Sequence, residues 1–180
     1  NQPKVNMHTG EVIGAEALIR WIHPQQGMIP PDVFLPLVEN TEFSVTLGEW
    51  VMRQALEQMG KWSAAGLVLP VSINISGYHL QQADFVRRLA KILNEFPQIP
   101  PDWLELEILE TTAMEDLDRI AQLLDDCMKL GVHFALDDFG TGYSSLTYLR
   151  RLPTQTMKID RSFVIDILSN SLDHALVAGI

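Results

Sequence analysis

Cysteine, basic residues and long apolar runs are all scarce in this chain of 180 residues. The single cysteine, Cys127, excludes an intrachain disulfide, and its place on the apolar stripe of a predicted helix reads as core. Lysine and arginine number 13 against 23 acidic residues, a net charge of -10. No basic field therefore exists to draw in a long polyanion such as DNA or RNA. A small anionic ligand stays admissible, because a bound divalent cation inverts the local potential. No apolar run approaches the roughly 20 residues of a membrane span, and no signal peptide is visible. No Gly-x-Gly-x-x-Gly follows the first strand pattern, which removes support for a dinucleotide-binding sheet. His8, His23, His79, His133 and His174 are scattered without the spacing of metal ligands. The chain starts at Asn1 without a methionine and stops at Ile180 within a helical pattern, so it reads as an excerpt of a larger protein.

What is present is a hydrophobic content of 47% with no shift in composition, which predicts one domain over residues 1–180 with one sizeable core. Strand patterns at residues 2–7 and 11–21 are joined by the turn His8-Thr9-Gly10, which is short enough to join only antiparallel neighbours. Beyond them the rhythm alternates. Helices begin at Pro30 and near Thr46, and a strand covers 71–75. A helix spans 83–95, a strand 104–109 and a helix 116–130, stopped by Gly131. Strands at 132–136 and 156–159 flank a glycine-containing loop and a short helix near 145–150. Six strands alternating with helices predict a largely parallel sheet with helices outside it. Pattern alone leaves a barrel and an open doubly wound sheet both standing. An eight-stranded barrel takes roughly 250 residues, so its last two strand-helix units would lie beyond residue 180.

The chemistry is read from strand alternation. With period 2, Glu16, Leu18 and Arg20 share a face, as do Ser72, Asn74 and Ser76, then Glu105 and Glu107, then Lys158 and Asp160. The opposite face is apolar, as helix packing requires. An ionised carboxylate inside a closed fold costs several kcal/mol unless a cation or dense hydrogen bonding offsets it. One lysine, Lys158, cannot neutralise four acids. Glu16, Asn74, Glu107 and Asp137 offer hard oxygen ligands from four strands, a set suited to Mg²⁺ or Mn²⁺ and poorly to zinc. The pair Asp137-Asp138 at a strand end could hold two ions about 4 Å apart, as suits in-line displacement at phosphorus. Lys158 could hold the nucleophilic water, and the Arg20 fork could meet a phosphate. Each residue alone has a blander reading: a surface glutamate, a satisfied core amide, a turn. Glu110 reads either as the first exposed residue past its strand or as a group orienting the Asp-rich loop. Their joint placement is what favours a functional site.

At these residues the chain closely resembles the EAL domain family of bacterial cyclic di-GMP phosphodiesterases. Glu16-Ala17-Leu18 is the signature that names the family. It is joined by Gln2-Pro3, by Asn74-Ile75-Ser76 with Leu80, and by Glu107-Ile108-Leu109-Glu110. DDFGTGYSSL at 137–146 and Lys158-Ile159-Asp160-Arg161-Ser162-Phe163 complete the match. The resemblance implies a modified triosephosphate-isomerase-type (β/α)8 barrel whose first strand is antiparallel. It implies Mg²⁺ or Mn²⁺, two ions in all, held by Glu16, Asn74, Glu107 and Asp137 with Asp138 on the second. It places Lys158 near the catalytic water and Gln2, Leu18 and Arg20 on the substrate. Glu110 would anchor the loop after Asp138, a loop that also serves dimerisation in the family. The implied activity is hydrolysis of cyclic di-GMP to linear pGpG, in a cytoplasmic domain downstream of a sensory or diguanylate cyclase-like domain. The parent protein could be anchored in the inner membrane. A further family glutamate and glutamine fall beyond residue 180, and the 180-residue piece alone is expected to be poorly folded or inactive because an incomplete barrel leaves strand edges and core surface exposed. Ile108-Leu109 replaces the commoner Ile-Thr and is expected to be neutral. Two other functions explain part of the pattern. A receptor module would bind cyclic di-GMP without cleaving it, and an unrelated Mg²⁺ enzyme acting on an enolate would use the carboxylates but not Asn74 or the loop at 140–145.

Overall fold

The computed structural model describes residues 2–140 and 151–179. The short helix expected near 145–150, and the rest of the loop from 141, lie outside the described residues. Strand β1 (Gln2–Val5) and strand β2 (Val12–Ala17) pair antiparallel, with Gln2 opposite Glu16 and Lys4 opposite Gly14. Their turn is closed by Asn6, whose side-chain oxygen accepts the backbone N–H groups of His8 at 2.9 Å and Thr9 at 3.2 Å. After it come β3 (Trp21–His23), β4 (Gly27–Ile29), α1 (Pro31–Val38), α2 (Glu42–Ala64) and β5 (Val71–Asn74). Next are α3 (Gly77–Leu80), α4 (Phe85–Glu95), β6 (Leu104–Leu109), α5 (Glu110–Glu115) and α6 (Leu117–Met128). The described chain ends with β7 (His133–Phe139), β8 (Thr156–Ile159), α7 (Arg161–Ile165) and α8 (Ser171–Gly179).

The six expected strands form one mixed sheet in the order β1-β2-β5-β6-β7-β8. Every neighbouring pair from β2 onward is parallel, so only β1 runs against the rest. The sheet curls into a half-barrel, with its helices on the convex side. Alternation explains the layering. Val71, Ile73, Leu104, Leu106, Ile108, Phe134 and Leu136 point outward and are buried beneath Met52, Leu56 and Met59 of α2, Phe85, Leu89 and Ile92 of α4, and Ile120, Leu124 and Cys127 of α6. Each such side chain contributes about 1.5–3 kcal/mol. Cys127 sits in this core as expected, and burial pushes its thiol up to about 12.

Four expectations need correction. The strand expected to run through residues 11–21 stops at Ala17, and Trp21 begins a separate hairpin with β4 that lies outside the main sheet. That hairpin is held by the His23 ring, which accepts the N–H groups of Gln25 and Gln26, and by an edge-to-face contact of Trp21 on Phe34 at 5.6 Å. Leu18 and Arg20 therefore lie past the strand, and alternation does not set where they point. The strand at 132–136 extends as β7 to Phe139, with an irregular register between Leu136 and Phe139. Asp160 does not join Lys158 inside; it caps α7 by accepting the Ser162 N–H at 2.9 Å. Finally, the short helices α3 and α5 were not legible, and Glu110 is the first residue of α5, 1% exposed rather than an exposed strand end.

Candidate metal centre

The concave face of the half-barrel carries two polar layers one alternation step apart. The first, toward the start of the parallel strands, holds Lys4, Ser72, Glu105 and Thr156. Lys4 Nζ donates to Glu105 Oε1 at 2.5 Å and to Ser72, while Glu105 also accepts from Ser72 Oγ at 2.6 Å and Thr156 Oγ1 at 2.8 Å. Burial works against the Glu105 charge, but Lys4, Ser72 and Thr156 hold its carboxyl below the usual range.

The second layer lies at the strands' C-terminal ends, where parallel sheets of this kind gather their functional groups. Glu16, Glu107 and Asp137 each bring one carboxylate oxygen within 4.8 Å of the others. Lys158 Nζ lies among them, 2.5 Å from Glu107 Oε2, 2.9 Å from Asp137 Oδ2 and 3.6 Å from Glu16 Oε1. Burial opposes its charge, yet hydrogen bonds to Glu107 and Asp137 more than offset this and raise its pKa. Asn74 is paired in register with Glu107 and donates from Nδ2 to Glu16 Oε1 at 3.0 Å. Asp138 takes a left-handed backbone, φ 54°, a conformation uncommon outside glycine that clusters at functional sites. Burial and the charges of Asp137 and Asp160 raise its carboxyl. Glu110 reaches the same strand end from α5 and accepts the Gly140 N–H at 3.0 Å.

Beside this layer opens a cavity of about 260 Å³ lined by Leu18, Arg20, Asn74, Ser76, Glu107 and Gly48, among others. Arg20 is exposed and its Nη1 donates back to the Ile19 carbonyl at 2.7 Å. Behind the Gly48 wall sits His79, 1% exposed, with neither ring nitrogen hydrogen-bonded among the described residues. A Cβ on Gly48 would come within 2.3 Å of His79 Nδ1, so the bare glycine is what lets the ring pack there.

The EAL domain matches residues 2–180. This chain belongs to the EAL domain family. It is 43% identical over 180 residues to the bifunctional diguanylate cyclase/cyclic di-GMP phosphodiesterase MucR of Pseudomonas aeruginosa, covering 99% of this chain and 26% of MucR. It is 39% identical over 180 residues to the cyclic di-GMP phosphodiesterase NbdA of the same organism, covering 99% of this chain and 23% of NbdA. The chain thus spans about a quarter of the length of these relatives. The solved PaMucR phosphodiesterase in complex with c-di-GMP superposes with a TM-score of 0.93 at 43% identity, over 99% of this chain and 72% of that one.

In this EAL domain the fold brings Glu16, Asn74, Glu107, Asp137 and Lys158 into one cluster, with Asp138 beside it. Glu110 accepts the N–H of Gly140 just beyond it, Gln2 lies opposite Glu16, and Leu18 and Arg20 stand on the cavity wall. The expectation of a single inward lysine is corrected, because Lys4 also donates to Glu107, at 2.9 Å from Oε1. Its signal was present: Lys4 alternates with Gln2 on the same strand. His79 carried no signal, since nothing local marks which ring will lack a partner.

The donor set fits a divalent cation. Two lysines face four inward carboxylates, Glu16, Glu105, Glu107 and Asp137, and the excess charge sits in the second layer. The Lys158 ammonium stands where a small cation would meet the same three acids. All the donors are hard oxygens, and turning the Asn74 amide would present its own.

Proposed function

We propose that this EAL domain is a phosphodiesterase, dependent on Mg²⁺ or Mn²⁺, that opens cyclic di-GMP to linear pGpG. The observation that carries the reading is the trio Glu16, Glu107 and Asp137, converging from three strands with charge left over, beside a cavity of about 260 Å³. Similarity to relatives named for cyclic di-GMP hydrolysis supports it. So does the PaMucR complex with that ligand. Glu16, Asn74, Glu107 and Asp137 would hold the metal, with Asp138 serving a second ion. When bound, the ions supply positive charge against the phosphoryl oxygens and make an attacking water more acidic.

The chain's own residues do the rest. With a cation held by the trio, Lys158 would stand beside it and hold the attacking water or the charge that grows on the phosphoryl group. The water oxygen bonds to phosphorus as the bond to the ribose 3′ oxygen breaks. The proton released ends on that leaving oxygen, which gives a linear dinucleotide with a 5′-phosphate. Arg20 exchanges the Ile19 carbonyl for a phosphate, a better partner for its planar fork. Leu18 offers an apolar contact to the substrate and Gln2 a polar one. Glu110 acts by fixing Gly140 and with it the strand end that carries Asp138. Dimerisation through the loop after Asp138 and control by an upstream sensory or cyclase-like domain belong to the same reading. No helix among the described residues is long and apolar enough to cross a membrane.

The test is cyclic di-GMP hydrolysis by the full-length protein with Mn²⁺ or Mg²⁺, with and without chelator, against Glu16→Ala. Production of pGpG that chelator and the variant both abolish is the expected result. Binding without turnover would replace this reading with that of a receptor, and neither binding nor turnover would remove it.

A further inference from the structure

Glu107 spends its two carboxylate oxygens on lysines from opposite sides: Oε1 accepts from Lys4 at 2.9 Å and Oε2 from Lys158 at 2.5 Å. Its side chain has no exposure at all, so nothing but these neighbours can set its rotation. Lys4 is itself pinned by Glu105 and Ser72, and Glu105 in turn by Thr156. The lysine enters along β1 opposite Gly14, where a Cβ would stand 3.7 Å from Lys4 Cδ and 3.3 Å from the Pro70 carbonyl. A larger residue there would crowd the stem. The two lysines are therefore not equivalent. Lys158 lies among Glu16, Glu107 and Asp137, whereas Lys4 touches only Glu107 of that trio and touches it from behind.

We propose that Lys4 is a positioning residue: it holds Glu107 Oε1 in the structural layer and thereby turns Oε2 toward the divalent cation. This rests on the metal-site reading above. A competing role is that of a plain cross-link from β1 to Glu105, its shorter contact at 2.5 Å. Another is that of a nearby positive charge that merely repels a metal. The three roles differ in what metal affinity does when Lys4 is removed. A partner behind a metal ligand fixes its orientation, and losing such a partner typically weakens metal binding about 10–100-fold.

The experiment is Mn²⁺ binding to the full-length protein by calorimetry, with wild type, Glu105→Gln and the double variant Lys4→Met/Glu105→Gln. The double variant removes one charge of each sign, so Glu105 is not left as an unpaired buried acid. The Mn²⁺-induced rise in Tm, read against each protein's own metal-free Tm, separates lost affinity from lowered stability. Expected are near wild-type affinity in Glu105→Gln and a loss of about 10–100-fold in the double variant. Equal affinity in the two variants would make Lys4 a cross-link only, and tighter binding in the double variant would make it a repulsive charge. Either result overturns the proposal. Absence of saturable Mn²⁺ binding in wild type would overturn the metal-site reading and this proposal together.

Discussion

The two polar layers inside the half-barrel use the same chemistry to opposite ends. In the layer of Lys4, Ser72, Glu105 and Thr156, one lysine meets one acid and two hydroxyls fill the acid's remaining sites, so charge and hydrogen bonding balance. In the layer of Glu16, Asn74, Glu107, Asp137 and Lys158, one lysine serves three acids, and the pKa of a fourth, Asp138, is raised by burial and by the charges of Asp137 and Asp160. A balanced layer is a structural device. A layer in anionic excess at the open end of a sheet calls for a cation from outside the chain. Glu107 is the only residue that bonds lysines of both layers among the described residues.

The largest expected effect follows from that bridge. Glu107→Ala removes two charge-assisted hydrogen bonds, worth about 1.5–3 kcal/mol each, although Lys4 keeps Glu105 and Lys158 keeps Asp137. Chemical denaturation should show that loss, while turnover of cyclic di-GMP falls on the order of a thousand-fold or more. Denaturation within experimental error of wild type would show the layers to be independent. Lys158→Met sharpens the contrast further. Lys158 stands in the space a cation would occupy, so its removal should leave Mn²⁺ affinity unchanged or tighter while turnover drops about 10²–10³-fold. That is the reverse of the expected loss of affinity when Lys4 is removed, and calorimetry on both proteins reads the difference. Weaker Mn²⁺ binding in Lys158→Met would mean that the two lysines do one job.

The smallest effect concerns a third buried group that has neither arrangement. The His79 ring lacks any hydrogen-bond partner among the described residues, and burial pulls its pKa down from 6.5 to about 4; nearby Glu49 opposes this and Arg88 reinforces it. As pH falls from 6.5 toward 4, the unfolded chain takes up a proton on this ring that the folded chain refuses. Stability should therefore fall across that window, by up to about 3 kcal/mol. His79→Gln should flatten that part of the profile in denaturant midpoints measured between pH 7 and 4. An unchanged slope would mean that the ring is protonated in place, with the Glu49 and Asp84 carboxylates as its counter-charges.

Much of this site could be read from the chain because alternation is a local property. Glu105 and Glu107 had to share a face once Leu104, Leu106 and Ile108 were assigned to the helices, and the turn at residues 8–10 fixed β1 as antiparallel. Alternation says nothing beyond the point where a strand ends. Leu18 and Arg20 follow a strand that stops at Ala17, and Asp160, in phase with Lys158 by spacing, caps α7 instead. Glu110 could be read two ways from sequence, and its burial against Gly140 depends on α5, a helix too short to show periodicity.

The sequence by itself determined the succession of the strands along the chain, the apolar face of each and the stock of hard oxygen donors, since these follow from spacing along one segment. Only the tertiary structure decided which charges meet. Lys4 and Glu105 are 101 positions apart, and Lys158 and Glu107 are separated by 51. Contacts at that range are set by register and sheet curvature, to which every strand contributes.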